Sequence, residues 1–128
     1  MKSLFLIFSH TLTPEQATDA TNSLGVEKFV SLPENLKILW GNVPPDADLD
    51  FATYLQPIKH FLATSAQAHD VVLIQGDFGA TYHLVNYCKQ AGYTPVYATT
   101  ERVAIEQAQS DGSVVLQKVF KHKAFRRY

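Results

Sequence analysis

Asp70-Val71-Val72-Leu73-Ile74-Gln75-Gly76-Asp77-Phe78-Gly79-Ala80-Thr81 is the stretch on which the reading of the fold turns. Its first half is a short, unbroken, largely β-branched run, the pattern of a strand covered on both faces. Its second half is a glycine-punctuated turn that opens an amphipathic helix. In open α/β sheets, ligands collect outside the carboxyl ends of parallel strands, where helix N-termini present unpaired N–H groups. Two further strand patterns run out in Phe8-Ser9-His10 and in Thr99-Thr100-Glu101-Arg102, so a parallel sheet would bring three polar ends to one rim.

Upstream, Leu4–Phe8 is apolar at every position and reads as a central strand. Thr13-Pro14-Glu15-Gln16 combines a threonine N-cap, proline at the first helical position and glutamine three residues after the cap. A helix over 14–24 follows, with Gly25 as its left-handed stop. Lys28–Ser31 is a second strand, and 33–40 suits a short helix that ends at Gly41. Leu49, Phe51, Tyr54, Leu55, Ile58 and Leu62 recur at helical spacing, with Pro57 inside the pattern predicting a kink or break. Downstream, a third long helix stops at Gly92 and Pro95–Ala98 forms a strand.

The period then changes. Val103 and Ile105 alternate with polar residues, Ser110-Asp111-Gly112-Ser113 signals a tight turn, and 114–120 returns as a strand. Glu, Ala and Gln within 101–110 also suit a helix, but Asp111-Gly112 and the β-rich return favour a hairpin. The expectation is a single domain over 1–128: a Rossmann-like, mainly parallel α/β sheet flanked by helices over 1–100, and a basic C-terminal β-hairpin over 101–128.

A chain of 128 residues can bury a real core but has no room for a separate substrate domain, which points to function through a shared surface or a partner. With 46% hydrophobic and 18% charged residues the composition is that of an ordinary globular protein. No apolar run approaches the ~18 residues of a membrane span, and Leu4–Phe8 is too short for a signal-peptide core. A cytoplasmic location is expected. The single Cys88 rules out an internal disulfide and a cysteine-rich zinc site. Net charge is −1, yet Lys118, Lys121, Lys123, Arg126 and Arg127 all follow Asp111, the last acidic residue. This basic end, interleaved with Phe120, Phe125 and Tyr128, suits a nucleotide phosphate surface or, more plainly, a lysine-protected edge strand.

Gly76-Asp77-Phe78-Gly79 is neither the dinucleotide fingerprint nor a Lys-Ser/Thr phosphate loop. It is a turn that can bring backbone N–H groups to a ligand, with Thr81 as a hydroxyl donor and Asp77 equally suited to capping the helix. Phe78 at such a turn more often packs in the core than stacks on a ligand. Among the five histidines, His10 and His122 are the candidates for moving protons, and Arg102 for stabilising phosphate charge. Ser9, Thr99 and Thr100 can meet ribose or phosphate, as can Lys121, Arg126 and Arg127. Asp46, Asp48 and Asp50 read as helix-start residues, so no metal site and no cofactor is expected.

The strings Leu4–His10, Gln75–Tyr82, Val96–Arg102 and Val119–Tyr128 resemble a small Csx-type CRISPR-associated family of type III systems, over nearly the whole chain. The resemblance implies a ring nuclease that degrades the cyclic oligoadenylate second messenger and so switches off antiviral signalling. That activity fits the rim. A cyclic tetra-adenylate has near four-fold symmetry, and a homodimer would hold it with the same rim used twice. RNA is cut without a metal when its own 2′-hydroxyl lies in line with the adjacent phosphate. The expected residues are His10, Arg102 and His122 for chemistry, and Ser9, Gly76, Asp77, Phe78, Gly79, Thr81, Thr99, Thr100, Lys121, Arg126 and Arg127 for binding, with neither DNA nor a membrane as partner. A sensor that binds the ring without cutting it, and a small protein-interaction domain, are the alternatives.

Overall fold

Val71–Ile74 is β3, the middle strand of a five-stranded sheet ordered β2-β1-β3-β4-β5 in the computed structural model, which describes residues 1–128. All four of its residues are buried, as an unbroken β-branched run in a doubly covered sheet requires. β1 (Ser3–Ile7) lies parallel to it, Leu4 opposite Val71 and Ile7 opposite Ile74. β2 (Lys28–Ser31) flanks β1 in parallel, and β4 (Thr94–Ala108) pairs in parallel with β3 through Val71–Leu73. β5 (Val114–Arg127) returns antiparallel to β4, so the expected α/β class and C-terminal hairpin are both present.

The helices fall where their caps dictate. α1 (Pro14–Asp19) opens with the expected capping box: the Gln16 amide N–H donates to Thr13 Oγ1 at 3.2 Å, and the Thr13 N–H donates back to Gln16 Oε1 at 2.9 Å. One π-type turn over Ala20–Leu24 extends it to Gly25, whose φ of 69° ends the helix in the left-handed region. α2 (Glu34–Gly41) follows Pro33. The break expected near Pro57 is real: α3 (Phe51–Tyr54) stops at Leu55 and α4 (Gln56–Ser65) starts afresh with Pro57 in its first turn. α5 (Phe78–Ala91) is capped by Asp77 and stopped by Gly92.

Two apolar layers of unequal size cover the sheet. Fourteen buried residues, including Phe5, Trp40, Ile58, Leu62 and Leu84, join one face to α2, α4 and α5. Seven, including Leu4, Phe8, Ala20 and Val96, pack the other face, with Phe125 of β5 against them. Cys88 is fully buried in the larger layer, and burial pushes its thiol up to about 12, so it acts as a small apolar residue. Asp70 is the one buried charged side chain. Its two carboxylate oxygens accept from the backbone N–H groups of Ser3 and Gln67, tying the start of β3 to the start of β1.

β4 departs from expectation. The sequence suggests a strand end at Thr99 followed by a separate hairpin, but β4 is one strand through Ala108, and the helix alternative for 101–110 is excluded. Thr99–Ala108 therefore runs on past the rim by on the order of 30 Å at about 3.3 Å per residue. With its partner segment of β5 it forms a two-stranded arm. A β-bulge on the β5 side, between the Thr99 and Thr100 pairs, marks where the arm leaves the sheet. No helix is long and apolar enough to cross a membrane.

Candidate functional site

Strand order 2-1-3-4 reverses direction between β1 and β3, and their carboxyl ends diverge there into a crevice. The Gln75–Asp77 turn forms one wall. Its glycines are explained by packing. A Cβ on Gly76 would lie 2.7–2.9 Å from the Trp40 indole, and a Cβ on Gly79 would lie 2.8 Å from the Phe51 ring. Trp40 Nε1 donates to the Gln75 carbonyl at 3.0 Å, so the indole is both floor and brace of the turn. The close backbone approach anticipated for a ligand is thus taken up by two aromatic rings of the core.

Gly76 separates two depressions. One, of about 280 Å³, is lined by Ser9, Trp40, Gly41, Val43, Gly76 and Asp77 at the crevice itself. The other, of about 410 Å³, is lined by Gln75, Gly76, Phe78, Thr81, Tyr97 and Tyr128. The second is built by aromatic residues from three elements. Phe78 stands 93% exposed at the first turn of α5, so the expected core packing does not occur. Tyr97 and Tyr128 rings lie 4.8 Å apart, and Tyr128 is fixed by its hydroxyl to the Ile74 carbonyl and by its N–H to Pro95 O. Burial pushes the Tyr128 phenol up, with Tyr97 adding to it, so the hydroxyl stays protonated. Gln75 Oε1 accepts from the Ala98 N–H at 2.8 Å and closes the junction of β3 and β4.

Arg126 touches this cleft through Tyr97 and is not itself one of its lining residues. Opposite Tyr97 in the ladder, it donates through Nη1 to the Tyr97 hydroxyl at 2.7 Å, with its guanidinium carbon 5.4 Å from the ring centroid. A guanidinium held this way keeps donors free for an anion. Thr81 Oγ1 lacks a hydrogen-bond partner although the atom is shielded from solvent. Asp77 accepts from the Ala80 N–H at 3.0 Å and is the helix cap, one of the two roles open to it.

The remaining expected residues are dispersed. His10 is exposed and faces away from the cleft, lining a groove of about 260 Å³ with Phe8, Thr11, Phe29, Ser31 and Lys37 at the ends of β1 and β2. Ser9 alone of the β1 end reaches the crevice. Arg102 stands on the arm over Phe120, 5.2 Å from the ring centroid. Thr99 donates to the Ala124 carbonyl, and Thr100 and Lys121 line a separate groove with Thr13 and Glu15. Arg127 pairs with Val96 in the ladder, on the face of β5 opposite Arg126. His10, Arg102 and His122 therefore do not share a cleft. The expected third strand end is displaced because β4 does not end there: Tyr97, not Thr99–Arg102, borders the rim.

His122 has a partner the sequence did not indicate. Its Nε2 lies 2.7 Å from Asp19 Oδ2, the imidazole is 7% exposed, and its ring packs 4.9 Å from Phe125. It joins the end of α1 to the root of the arm. The Ser23 hydroxyl and then His122 hold the Asp19 carboxyl below the usual aspartate range. A carboxyl depressed in the folded state adds stability above its unfolded pKa and loses it as pH falls through the folded value. Thermal melts of the wild type should therefore lose stability below about pH 4, and Asp19→Asn should flatten that acid limb. An acid limb identical in the variant would remove the pair from the stability account.

Sequence reasoning missed Trp40 and Tyr97, and found Tyr128 only as an aromatic residue of the basic end. Trp40 carried a signal, as the one tryptophan, set directly before Gly41. The meeting of Tyr97 with Tyr128 carried none, because it depends on the β4–β5 register. No group of three or more His, Cys, Asp or Glu side chains is placed to hold a metal ion.

The profile of the family described as "Uncharacterized protein MJ1673 family" matches residues 2–126. The chain is 48% identical to "Uncharacterized protein MJ1673" of Methanocaldococcus jannaschii over 128 residues, covering 100% of this chain and 98% of that protein. No solved structure matches it.

Proposed function

We propose that this chain, which belongs to the uncharacterized protein MJ1673 family, is a ring nuclease that binds and cleaves cyclic oligoadenylate, most naturally the tetra-adenylate, in the cytoplasm. The observation that carries the reading is the cleft of about 410 Å³ beside Gly76, lined by an exposed Phe78 ring and the Tyr97–Tyr128 pair, with the Arg126 guanidinium hydrogen-bonded to the Tyr97 hydroxyl. An exposed aromatic ring is a stacking platform for adenine, and a fork of N–H donors suits a phosphodiester. A cleft of this size suits one nucleotide, so a four-nucleotide ring calls for a second rim, and hence a homodimer.

In this reading the 2′-hydroxyl of one adenosine attacks the adjacent phosphorus while the bond from phosphorus to the 5′-oxygen breaks. The products are a 2′,3′-cyclic phosphate and a 5′-hydroxyl; the proton leaving the 2′-oxygen is balanced by one delivered to the 5′-oxygen. Arg126 stabilises charge on the phosphate, Ser9 orients a ribose-phosphate oxygen at the crevice, and the two protons are exchanged with solvent, because His10 faces away from the cleft and the Thr81 hydroxyl is shielded. His122 and Arg102 serve the arm and are left out of the chemistry. The placement of His10 outside the cleft favours a second reading, a sensor that holds the ring intact.

Incubation with cyclic tetra-adenylate in excess chelator, with products separated over time, tests this. The expected result is multiple turnover to linear products ending in a phosphate or cyclic phosphate. Binding without cleavage establishes the sensor instead. Cleavage only on restoring metal overturns 2′-hydroxyl attack without a metal, and neither binding nor cleavage overturns the nucleotide reading altogether.

A further inference from the structure

Tyr82 stands 74% exposed one helical turn after Phe78 on the same stripe of α5, so two aromatic rings face solvent in succession, beginning at the cleft. The core uses neither. Tyr82 also borders the next depression, of about 260 Å³, which it lines with Lys59 of α4 and with His83, Asn86, Tyr87 and Gln90 of α5. No carboxylate is among the lining residues.

The lysine of this depression is held in place. Lys59 Nζ lies 3.1 Å from His83 Nε2 and 5.8 Å from the centroid of the Tyr87 ring, and the Tyr87 hydroxyl donates to the Lys59 carbonyl at 3.2 Å. An ammonium only donates, so Nε2 accepts and the imidazole proton sits on Nδ1. Burial first, and the Lys59 charge after it, hold His83 below the usual histidine range, with the Asp50 carboxylate acting in the opposite sense. The ring therefore stays neutral at pH 7. Lys59 has no carboxylate partner, since the ion pairs of the chain are His122–Asp19 and Lys123–Glu101. A fixed cation without a counter-charge, flanked by the Asn86 and Gln90 amides, is suited to a phosphate oxygen.

We propose that the Tyr82–Lys59 depression is a second nucleotide subsite that continues the cleft along α5, with Tyr82 stacking on the next adenine and Lys59 taking its phosphate. This rests on the nucleotide reading of the cleft and extends it. Residues one helical turn apart have Cβ atoms roughly 5–6 Å from each other, a step that successive bases on a ribose-phosphate backbone can follow. Each chain then holds two nucleotides, and two chains sharing a rim hold four, the number in the tetra-adenylate ring. Ring size is thereby set by the count of subsites. A six-membered ring would leave two nucleotides unheld.

Amide NMR on the full chain tests the subsite. The probe is 2′-deoxy di-adenylate ending in a 3′-phosphate, which has no 2′-hydroxyl with which to cut itself. The Asn86 and Gln90 amides report the subsite, and those of Gly76 and Ala98 report the cleft. Both sets are expected to shift together in the wild type. Tyr82→Ala and Lys59→Gln should each weaken the dinucleotide roughly 10-fold and diminish the Asn86 and Gln90 response, with a cooperative melt retained. A response at the cleft alone, or an affinity that neither variant changes, overturns the subsite and leaves the nucleotide reading of the cleft standing. A response at Asn86 and Gln90 alone sinks the reading of the cleft and keeps Tyr82 and Lys59 as the nucleotide site. No response at either set removes both.

Discussion

Trp40→Ala should lower the stability of the fold by about 3–5 kcal/mol, the range for emptying a buried large aromatic site. The indole is 2% exposed, sits among the fourteen residues of the larger core layer and donates to the Gln75 carbonyl. Removing it leaves both a cavity and an unpaired carbonyl at the turn that bears the cleft. The melting temperature should fall by on the order of 10–20 °C. Gly76→Ala attacks the same contact from the other side, since its Cβ would sit 2.7 Å from the indole nitrogen, and should cost roughly 1–3 kcal/mol by overpacking. The two sites are coupled: in a Trp40→Phe background the smaller ring leaves room for the new methyl. A double-mutant cycle by denaturant melts should give an interaction of roughly 0.5–3 kcal/mol, and strict additivity would show that the clash is relieved elsewhere.

Arg126→Ala should weaken binding of cyclic tetra-adenylate by ~10–100-fold, the loss of about 1.5–3 kcal/mol from hydrogen bonds made by a charged donor. The guanidinium is steered by the Tyr97 hydroxyl, so Tyr97→Phe, which keeps the ring and removes the anchor, should show a smaller loss in the same direction. Arg102→Ala is the control, because Arg102 stacks on Phe120 out on the arm, and binding should be within a few-fold of wild type. Titration calorimetry on the three variants checks the ordering. If Arg102→Ala abolishes binding and Arg126→Ala does not, the ligand sits on the arm and the cleft beside Gly76 is not its site.

The fold was legible where local chemistry fixes the backbone. Thr13 and Gln16 cap α1, Gly25 and Gly92 stop their helices, Pro57 breaks the long amphipathic pattern, and the run 71–74 can only be a doubly covered strand. The site was legible only in part, because it depends on long-range meetings. Gly76 and Asp77 were found as a turn, but the requirement for Gly76 comes from Trp40, thirty-six positions earlier in the chain. His122 was read as a candidate for moving protons because its partner, Asp19, lies 103 residues away. Thr99–Arg102 looked like a strand end because polar residues follow an apolar run. In a two-stranded arm with both faces in water, polarity carries no such meaning, and β4 simply continues.

That continuity makes β4 a lever. Residues Thr94–Ala98 are seated in the sheet and hold Tyr97 against the cleft, Thr99–Ala108 stand free of the body, and the bulge between the Thr99 and Thr100 pairs is the fulcrum. A contact that tilts the long limb turns the short one, and with it the wall formed by Tyr97, Arg126 and Tyr128. Conversely, a ligand that clamps that wall restrains the swing of the arm. By linkage, the coupling between a grip on one end of the strand and a grip on the other has the same size and the same sign in both directions.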